Sequence, residues 1–460
     1  MTQSRSLSRA VDGRPAAPVR SVHLGLGNFF RAHQCWYTEH ASDAAQWGIA
    51  AFTGTTTGRP ALTGQDCVYT LLARGSDSDV PEVVSTISDA FGADDLQAWC
   101  GFFARPELAF ASTTVTEAGY CRGSDGGLDL DDPRVASDLN TLRADGVDAR
   151  ALRTAPAKLV LGLMARRAAG SADFAVLPCD NLPENGEVAR RVVLDAARAV
   201  DPALAGWVEQ NVSFVSTMVD RITPRSTDTD RTHLLAGTGI DDPELVVTEP
   251  YAEWVISGDF PGGRPSWEDA GARFVDDIVP WEHRKLWLLN GSHSLMAYAA
   301  SILGSRTVAE AIRDPQVRGW VEQWWDEACR HLPLPAEELA AYREALVRRY
   351  ANPNIRHQLA QIASDGSEKL PVRIVPIVRA ELAAGRDAAG GLRVVAAWIA
   401  HLRGLGAPVQ DSSAEQVRAL ANGDPDDAVA RILAHLGIDD GAHELVSTDL
   451  EQFESAVVAS

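Results

Sequence analysis

The stretch Ser21-Val22-His23-Leu24-Gly25-Leu26-Gly27-Asn28-Phe29-Phe30 decides the fold. A short apolar run ends in two glycines, and Arg31-Ala32-His33-Gln34-Cys35-Trp36-Tyr37 continues with helical character. That order is strand, tight turn, helix. Gly25 and Gly27 fill the first two places of a G-x-G-x-x-G dinucleotide fingerprint, while Phe30 stands in the third. Two glycines still permit a sharp turn and a close approach of pyrophosphate to a helix N-terminus, where free N–H groups favour negative charge. A plain strand–helix turn fits the same letters, but the place of the motif, after a strand and before a helix, favours the binding turn. Gly25, Gly27, Asn28, Phe29 and Arg31 are its candidate residues.

Downstream, Trp47 to Thr53, Leu108 to Thr116 and Phe174 to Pro178 read as further strands, and Pro156 to Ala169 as a helix between the last two. Strands alternating with helices predict a parallel α/β sheet. From about Pro280 the pattern changes to apolar residues at helical spacing, in Leu286 to Leu303, Val308 to Ile312, Val317 to Cys329, Ala336 to Arg349, Leu392 to Leu402 and Ala428 to Leu436. Ser257 to Asp277 is rich in Gly and Pro and marks the boundary region. The expectation is an α/β Rossmann-type N-terminal domain (21–275) after a loose tail (1–20), followed by a mostly α-helical substrate and catalytic domain (276–460).

Composition narrows the function. The 460 residues carry 63 acidic and 42 basic side chains, a net charge of −21 that repels nucleic-acid phosphates and anionic lipid. No apolar run reaches the length of a membrane span, and the first 20 residues lack a signal-peptide apolar segment, so a cytoplasmic protein is expected. The six cysteines are far apart, with no C-x-x-C pair, which argues against a zinc knuckle or a disulfide scaffold; no metal is expected. Only three of the 42 basic residues are lysines, Lys158, Lys285 and Lys369. Lysine, unlike arginine, can lose its proton near neutral pH when buried, so each one is a candidate acid or base.

Two further segments carry chemical groups. If Pro280 opens a helix, then at about 100° per residue Glu282, Lys285, Asn290 and His293 share an arc of about 140°. A solvent-facing polar stripe and a ligand-facing one both satisfy that pattern. Gly291 inside the helix costs about 1 kcal/mol relative to Ala, so close packing or a ligand should require its missing side chain. In Pro178-Cys179-Asp180-Asn181 the amide of Asn181 follows a strand, at the edge where open parallel sheets bind ligands.

Together these segments resemble the polyol-specific long-chain dehydrogenases, the mannitol dehydrogenase family, which also includes fructuronate reductases. The resemblance covers roughly residues 21 to 405. It rests on His23 to Gly27 with Arg31-Ala32-His33-Gln34, Thr114 to Glu117 with Gly119-Tyr120-Cys121, and Cys179-Asp180-Asn181. It continues through Val219 to Pro224, Lys285 with Leu288 to His293, and Asp365-Gly366-Ser367 with Lys369. It implies NAD or NADP as cofactor and no catalytic metal. By position it implies Lys285 as general base, Asn181 and Asn290 as the amides holding the reacting oxygen, His293 as a substrate-orienting group, Glu282 as a proton relay, and Asp220 and Lys369 as lining the substrate site. The implied reaction interconverts a polyol and a ketose, D-mannitol and D-fructose first. The alternative is a hexuronate reductase (D-fructuronate and D-mannonate), with Arg356 clamping a carboxylate and His357 beside it. A dinucleotide-binding regulator without catalysis is the reading from another class, disfavoured by the joint presence of Lys285, Asn181, Asn290 and His293. The oligomeric state stays open.

The chain departs from the family pattern twice. Phe52 to Arg59 offers no carboxylate after the second strand to bind an adenosine ribose, but threonines and Arg59, which can accept a 2′-phosphate. Gln361 stands where some mannitol dehydrogenases carry an arginine.

Overall fold

The structure, a computed structural model, describes residues 4–171, 173–355 and 357–458. The chain separates into two compact units, Met1–Val279 and Pro280–Ser460.

In the first unit six strands form one parallel sheet: β1 (Val19–Leu24), β2 (Gly48–Phe52), β3 (Ile87–Phe91), β4 (Phe110–Thr113), β5 (Phe174–Pro178) and β6 (Val212–Phe214), in the order β3-β2-β1-β4-β5-β6. This doubly wound order reverses beside β1, and the strand order places the β1 turn at that switch point, where such sheets bind dinucleotides. One face is covered by the helices Leu96–Phe103, Ala155–Ala168 and Asn185–Val200, whose apolar sides join Val22, Ala50 and Val176 in a single core. The other face packs against an antiparallel pair, Ser216–Asp220 with Glu253–Ser257, through Trp254 and Trp267.

The tail expected to be loose is held from Arg5 onward. Arg5 forms a β-bridge with Ile240, and the Arg9 guanidinium donates to the carbonyls of Arg14, Ser85, Ile87 and Asp66. The Gly- and Pro-rich stretch 257–277, expected as the boundary region, ends just before the division at Val279 and contributes the short strand Arg273–Phe274 to the first unit, paired with Glu253–Ser257.

The second unit is helical among its described residues. Its centre is Ala389–Leu402, buried nearly all round, as a helix apolar on every side must be. Glu327 accepts hydrogen bonds from the N–H groups of Gly390 (2.6 Å) and Gly391 (2.9 Å), satisfying donors that the first turn leaves without partners. Residues 279–302 form a continuous helix, but not a uniform α-helix. Lys285–Gly291 and Met296–Ala300 are π-helical, with the α-turn Ser292–Leu295 between them.

Candidate active site

The turn after β1 is built by Gly25, at φ +117, where an added Cβ would lie 2.4 Å from the Thr114 carbonyl oxygen. The N–H groups of Gly25 and Leu26 both donate to the Phe52 carbonyl, tying the turn to the end of β2. Gly27 caps the helix Asn28–Ala32, and the nearest atom to an added Cβ there is 3.6 Å away. Gly25 is needed for the chain, whereas an added Cβ at Gly27 would make only an ordinary contact with the Gly25 carbonyl oxygen at the start of the helix. Phe30, in the place of the third glycine, lies flat on His23 with ring centroids 3.5 Å apart. His23 bonds Ser112 Oγ and Thr114 Oγ1, and burial lowers its pKa to about 3. Helix and strand thus meet through two stacked rings rather than across a bare glycine.

The other residues expected at the cofactor turn are engaged with the protein. Arg31 donates to Asn28 Oδ1 (2.8 Å) and to the Glu244 carbonyl (2.7 Å), and Phe29 stacks on His33. After β2, the Gly58 N–H donates to Asp94 Oδ1 (2.9 Å) and Arg59 pairs with Asp89 at 3.0 Å. The carboxylates missing from the segment after β2 therefore reach it from β3 and the turn that follows. Lys158, buried and lowered in pKa by desolvation, donates to the Gly54 carbonyl in the same loop.

Asn181 stands exposed just beyond the C-terminal end of β5. Its neighbour Asp180 fixes the turn: it accepts hydrogen bonds from the Tyr120 hydroxyl and the Leu182 N–H. Asn185, fully buried, exchanges hydrogen bonds with the backbone of Thr217, and an added Cβ on Gly186 would lie 2.7 Å from the Ser216 nitrogen. Asp220 ends its strand, buried and in register with Glu253.

In the second unit Glu282 lies in the opening α-turn, and Lys285 and Asn290 lie in the π-helical stretch. This revises the 100° wheel. In an α-helix, residues five apart point about 140° away from each other. A turn closed by i→i+5 hydrogen bonds places them one above the other. Positions 285 and 290, the two ends of the expected arc, are therefore turned toward the same side of the helix. Gly291 is explained by packing, since an added Cβ would meet the Trp324 indole at 2.7 Å.

His293 is buried, and its Nε2 has no hydrogen-bond partner among the described residues. Burial lowers its pKa well below the usual range, and the charges of His357, Arg349 and Arg373 add to that. His357 meets it edge-on with centroids 4.9 Å apart. Lys369 is committed to the backbone, donating to the carbonyls of Ile362 (3.2 Å) and Ser364 (2.5 Å), and Gln361 is exposed. Arg356 lies outside the described residues. Reading the sequence quoted Tyr120 in a matching segment but gave it no role, though it anchors Asp180, and did not single out Arg373, four residues beyond Lys369.

Residues 19–269 match the mannitol dehydrogenase Rossmann domain, and residues 277–454 match the mannitol dehydrogenase C-terminal domain. The D-mannonate oxidoreductase of Escherichia coli (strain K12) is 37% identical over 398 residues, covering 84% of this chain and 80% of that one. The structure of Pseudomonas fluorescens mannitol 2-dehydrogenase, a ternary complex with NAD and D-mannitol, aligns at 33% identity and a TM-score of 0.76, covering 96% of this chain and 92% of that one. A substrate-free D-sorbitol dehydrogenase structure aligns at a TM-score of 0.91 and 28% identity over 99% of both chains. No helix among the described residues is long and apolar enough to cross a membrane. The parallel sheet with its glycine turn, the helical second unit and the lysine-bearing helix are thus those of a known lineage, and the chain belongs to the mannitol dehydrogenase family of NAD(P)-dependent oxidoreductases.

Proposed function

We propose that the enzyme interconverts an open-chain polyol and its ketose, D-mannitol and D-fructose first, with Lys285 as general base. The observation that supports this reading is the π-helical stretch Lys285–Gly291, whose register turns positions 285 and 290 toward one side of the helix. Oxidising a secondary alcohol removes a proton from oxygen and a hydride from carbon. The site must therefore hold a developing alkoxide and take its proton. Lys285 accepts the hydroxyl proton, and Glu282 passes it onward. The amide N–H groups of Asn181 and Asn290 hold the oxygen as charge builds on it, and neutral His293 orients the sugar by its unpartnered Nε2. Asp220 and Lys369 border the sugar, Lys369 through the loop whose carbonyls it binds. The bound nicotinamide supplies the hydride acceptor, with Gly25 and Gly27 shaping the turn that takes its pyrophosphate and Arg59 flanking the ribose loop. The six described cysteines are free thiols, in keeping with a cytoplasmic setting.

A second reading, D-mannonate and D-fructuronate, is favoured by the positive charges of Arg349 and Arg373 acting on His293, which would attract a substrate carboxylate. His357 and Arg356 belong to the same segment and are assigned to that carboxylate. A screen of polyols, ketoses and ketouronates with both cofactors decides. The first reading requires the highest kcat/KM on a neutral polyol–ketose pair, and a hundredfold preference for the acid pair replaces it with the second.

A further inference from the structure

A π-helical stretch inside an α-helix is a costly irregularity that must be held from outside. The i→i+5 register changes which N–H each carbonyl meets, the Ser292 N–H being shared between the Leu288 and Leu289 carbonyls, so donors from outside the helix can decide which register is held. In Lys285–Gly291 four successive carbonyls each receive a side-chain hydrogen bond. The Trp324 indole N–H donates to the Trp287 carbonyl at 2.8 Å, and the Trp325 indole N–H donates to the Leu288 carbonyl at 2.9 Å. The Leu288 carbonyl also accepts from the Ser292 hydroxyl at 2.5 Å, the Leu289 carbonyl accepts from the Tyr350 hydroxyl at 3.2 Å, and the Asn290 carbonyl from Arg373 at 3.5 Å.

The two tryptophans are adjacent on the helix Pro315–Cys329, and both are buried. Adjacent donors on one helix thus meet adjacent carbonyls on another. Gly291 admits them: an added Cβ would lie 2.7–3.0 Å from three atoms of the Trp324 ring, so any other residue pushes that indole off its carbonyl. A tryptophan pair serving only as apolar filling would not need both N–H groups aimed at consecutive carbonyls of the segment that bears the lysine.

We infer that the indole N–H groups of Trp324 and Trp325, admitted by Gly291, hold Lys285–Gly291 in π register and thereby position Asn290 over Lys285. They are positioning residues; neither is assigned a contact with substrate. The inference rests on the roles of Lys285 and Asn290 proposed above. In α register the same two side chains diverge by about 140°, and the amide no longer shares the face of the amine.

The test replaces each tryptophan by phenylalanine, singly and together, in the full-length enzyme, with Lys285→Ala in parallel. Trp324→Phe/Trp325→Phe should lower kcat at least tenfold and move the pH profile of kcat by half a unit or more. KM for the sugar should stay within threefold, and cofactor affinity within twofold. Loss of packing alone would lower the melting temperature without moving the pH profile. Because the phenylalanine variants can fail to fold, the benzothienyl analogue of tryptophan, which keeps the ring volume but lacks the N–H, is placed at both positions. It should reproduce the kinetic change in a folded enzyme. An analogue-bearing enzyme with native kcat and pH profile, or one that does not fold, overturns the positioning role. If that happens while Lys285→Ala is inactive, only this inference falls. If Lys285→Ala keeps more than a tenth of wild-type turnover, the proposed function falls with it.

Discussion

The turn after β1 and the helix bearing Lys285 are both shaped around a glycine, but the two glycines do different work. At Gly25 the obstacle to a side chain is a backbone carbonyl 2.4 Å away, in a turn whose φ of +117 already excludes most residues. At Gly291 the obstacle is an indole ring, and the residue itself has right-handed helical dihedrals (φ −63, ψ −48) that any residue can adopt. One unit forms its functional edge from main-chain geometry, a result of neighbouring residues and strand order. The other forms its functional face from hydrogen bonds that arrive from a helix more than thirty residues away in sequence. A local geometry breaks all at once, whereas a tertiary one can be loosened donor by donor.

The largest expected effect is on the chemistry. Lys285→Ala should lower kcat by about a thousandfold, within the range for loss of a positioned general base. Cofactor affinity, measured by fluorescence titration, should stay within a few-fold, because the glycine turn is in the other unit. Equal losses in turnover and cofactor binding would contradict the separation of roles between the two regions.

The glycines sharpen the same contrast. Gly25→Ala should cost at least about 3 kcal/mol, since neither the strained φ nor the facing carbonyl can relax. Gly291→Ala should cost about 1–2 kcal/mol, an overpacking penalty partly offset by the better helix propensity of alanine. Gly27→Ala, with no close neighbour for its Cβ, should leave stability nearly unchanged and raise KM for the cofactor instead. Urea unfolding with cofactor kinetics checks all three, and a Gly291 variant less stable than the Gly25 variant would invert the comparison.

How much of this was legible follows from the same difference. The glycine turn, β2, β4, β5 and the helical second unit could be read because period-2 and period-3.6 patterns and turn residues act within a few positions. β5 was read to the residue as Phe174–Pro178. The edge strands β3 and β6 were missed: in Ile87–Phe91 the polar pair Ser88-Asp89 interrupts the apolar run, and Val212–Phe214 is only three residues long. The docking of Arg9 on carbonyls from four separate positions left no local trace in the sequence either. At the lysine-bearing helix the polar set was visible but its arrangement was not. The π register depends on Trp324 and Trp325, and a wheel drawn from one segment cannot contain a hydrogen bond from another. Gly291 was the one local sign, since a glycine in mid-helix asks what lies against it.

Each unit also carries a buried histidine held neutral, which extends the comparison to acid. Burial lowers His23 in the first unit to about 3 and His401 in the second to about 4. Unfolded histidine titrates near 6.5, so between that value and the folded pKa the unfolded chain binds more protons and stability falls with falling pH. The contribution is fully present above pH 6.5, and at pH 5 each site should have lost about 2 kcal/mol. Urea midpoints at pH 7 and pH 5 test this, and no loss at pH 5 would mean that water reaches the rings.

The smallest effect concerns the loop after β2, where the first unit relies on side-chain charges instead of main-chain geometry. Arg59 and Asp89 are 66% and 38% exposed, so their 3.0 Å pair contributes at most about 1 kcal/mol to stability. Its consequence is for cofactor choice. A free guanidinium near the ribose attracts a 2′-phosphate, and a carboxylate beside it cancels that attraction. Asp89→Asn should therefore raise kcat/KM for NADP by a few-fold and leave NAD nearly unchanged, because only NADP carries the extra charge. Arg59→Ala should lower NADP use by a similar factor, and the double variant should resemble Arg59→Ala, since Asp89 acts here only through the arginine. Steady-state kinetics with both cofactors on the four proteins closes the cycle. If Asp89→Asn improves NADP use equally well in the absence of Arg59, the carboxylate repels the phosphate directly, and Arg59 is a surface charge with no part in the choice.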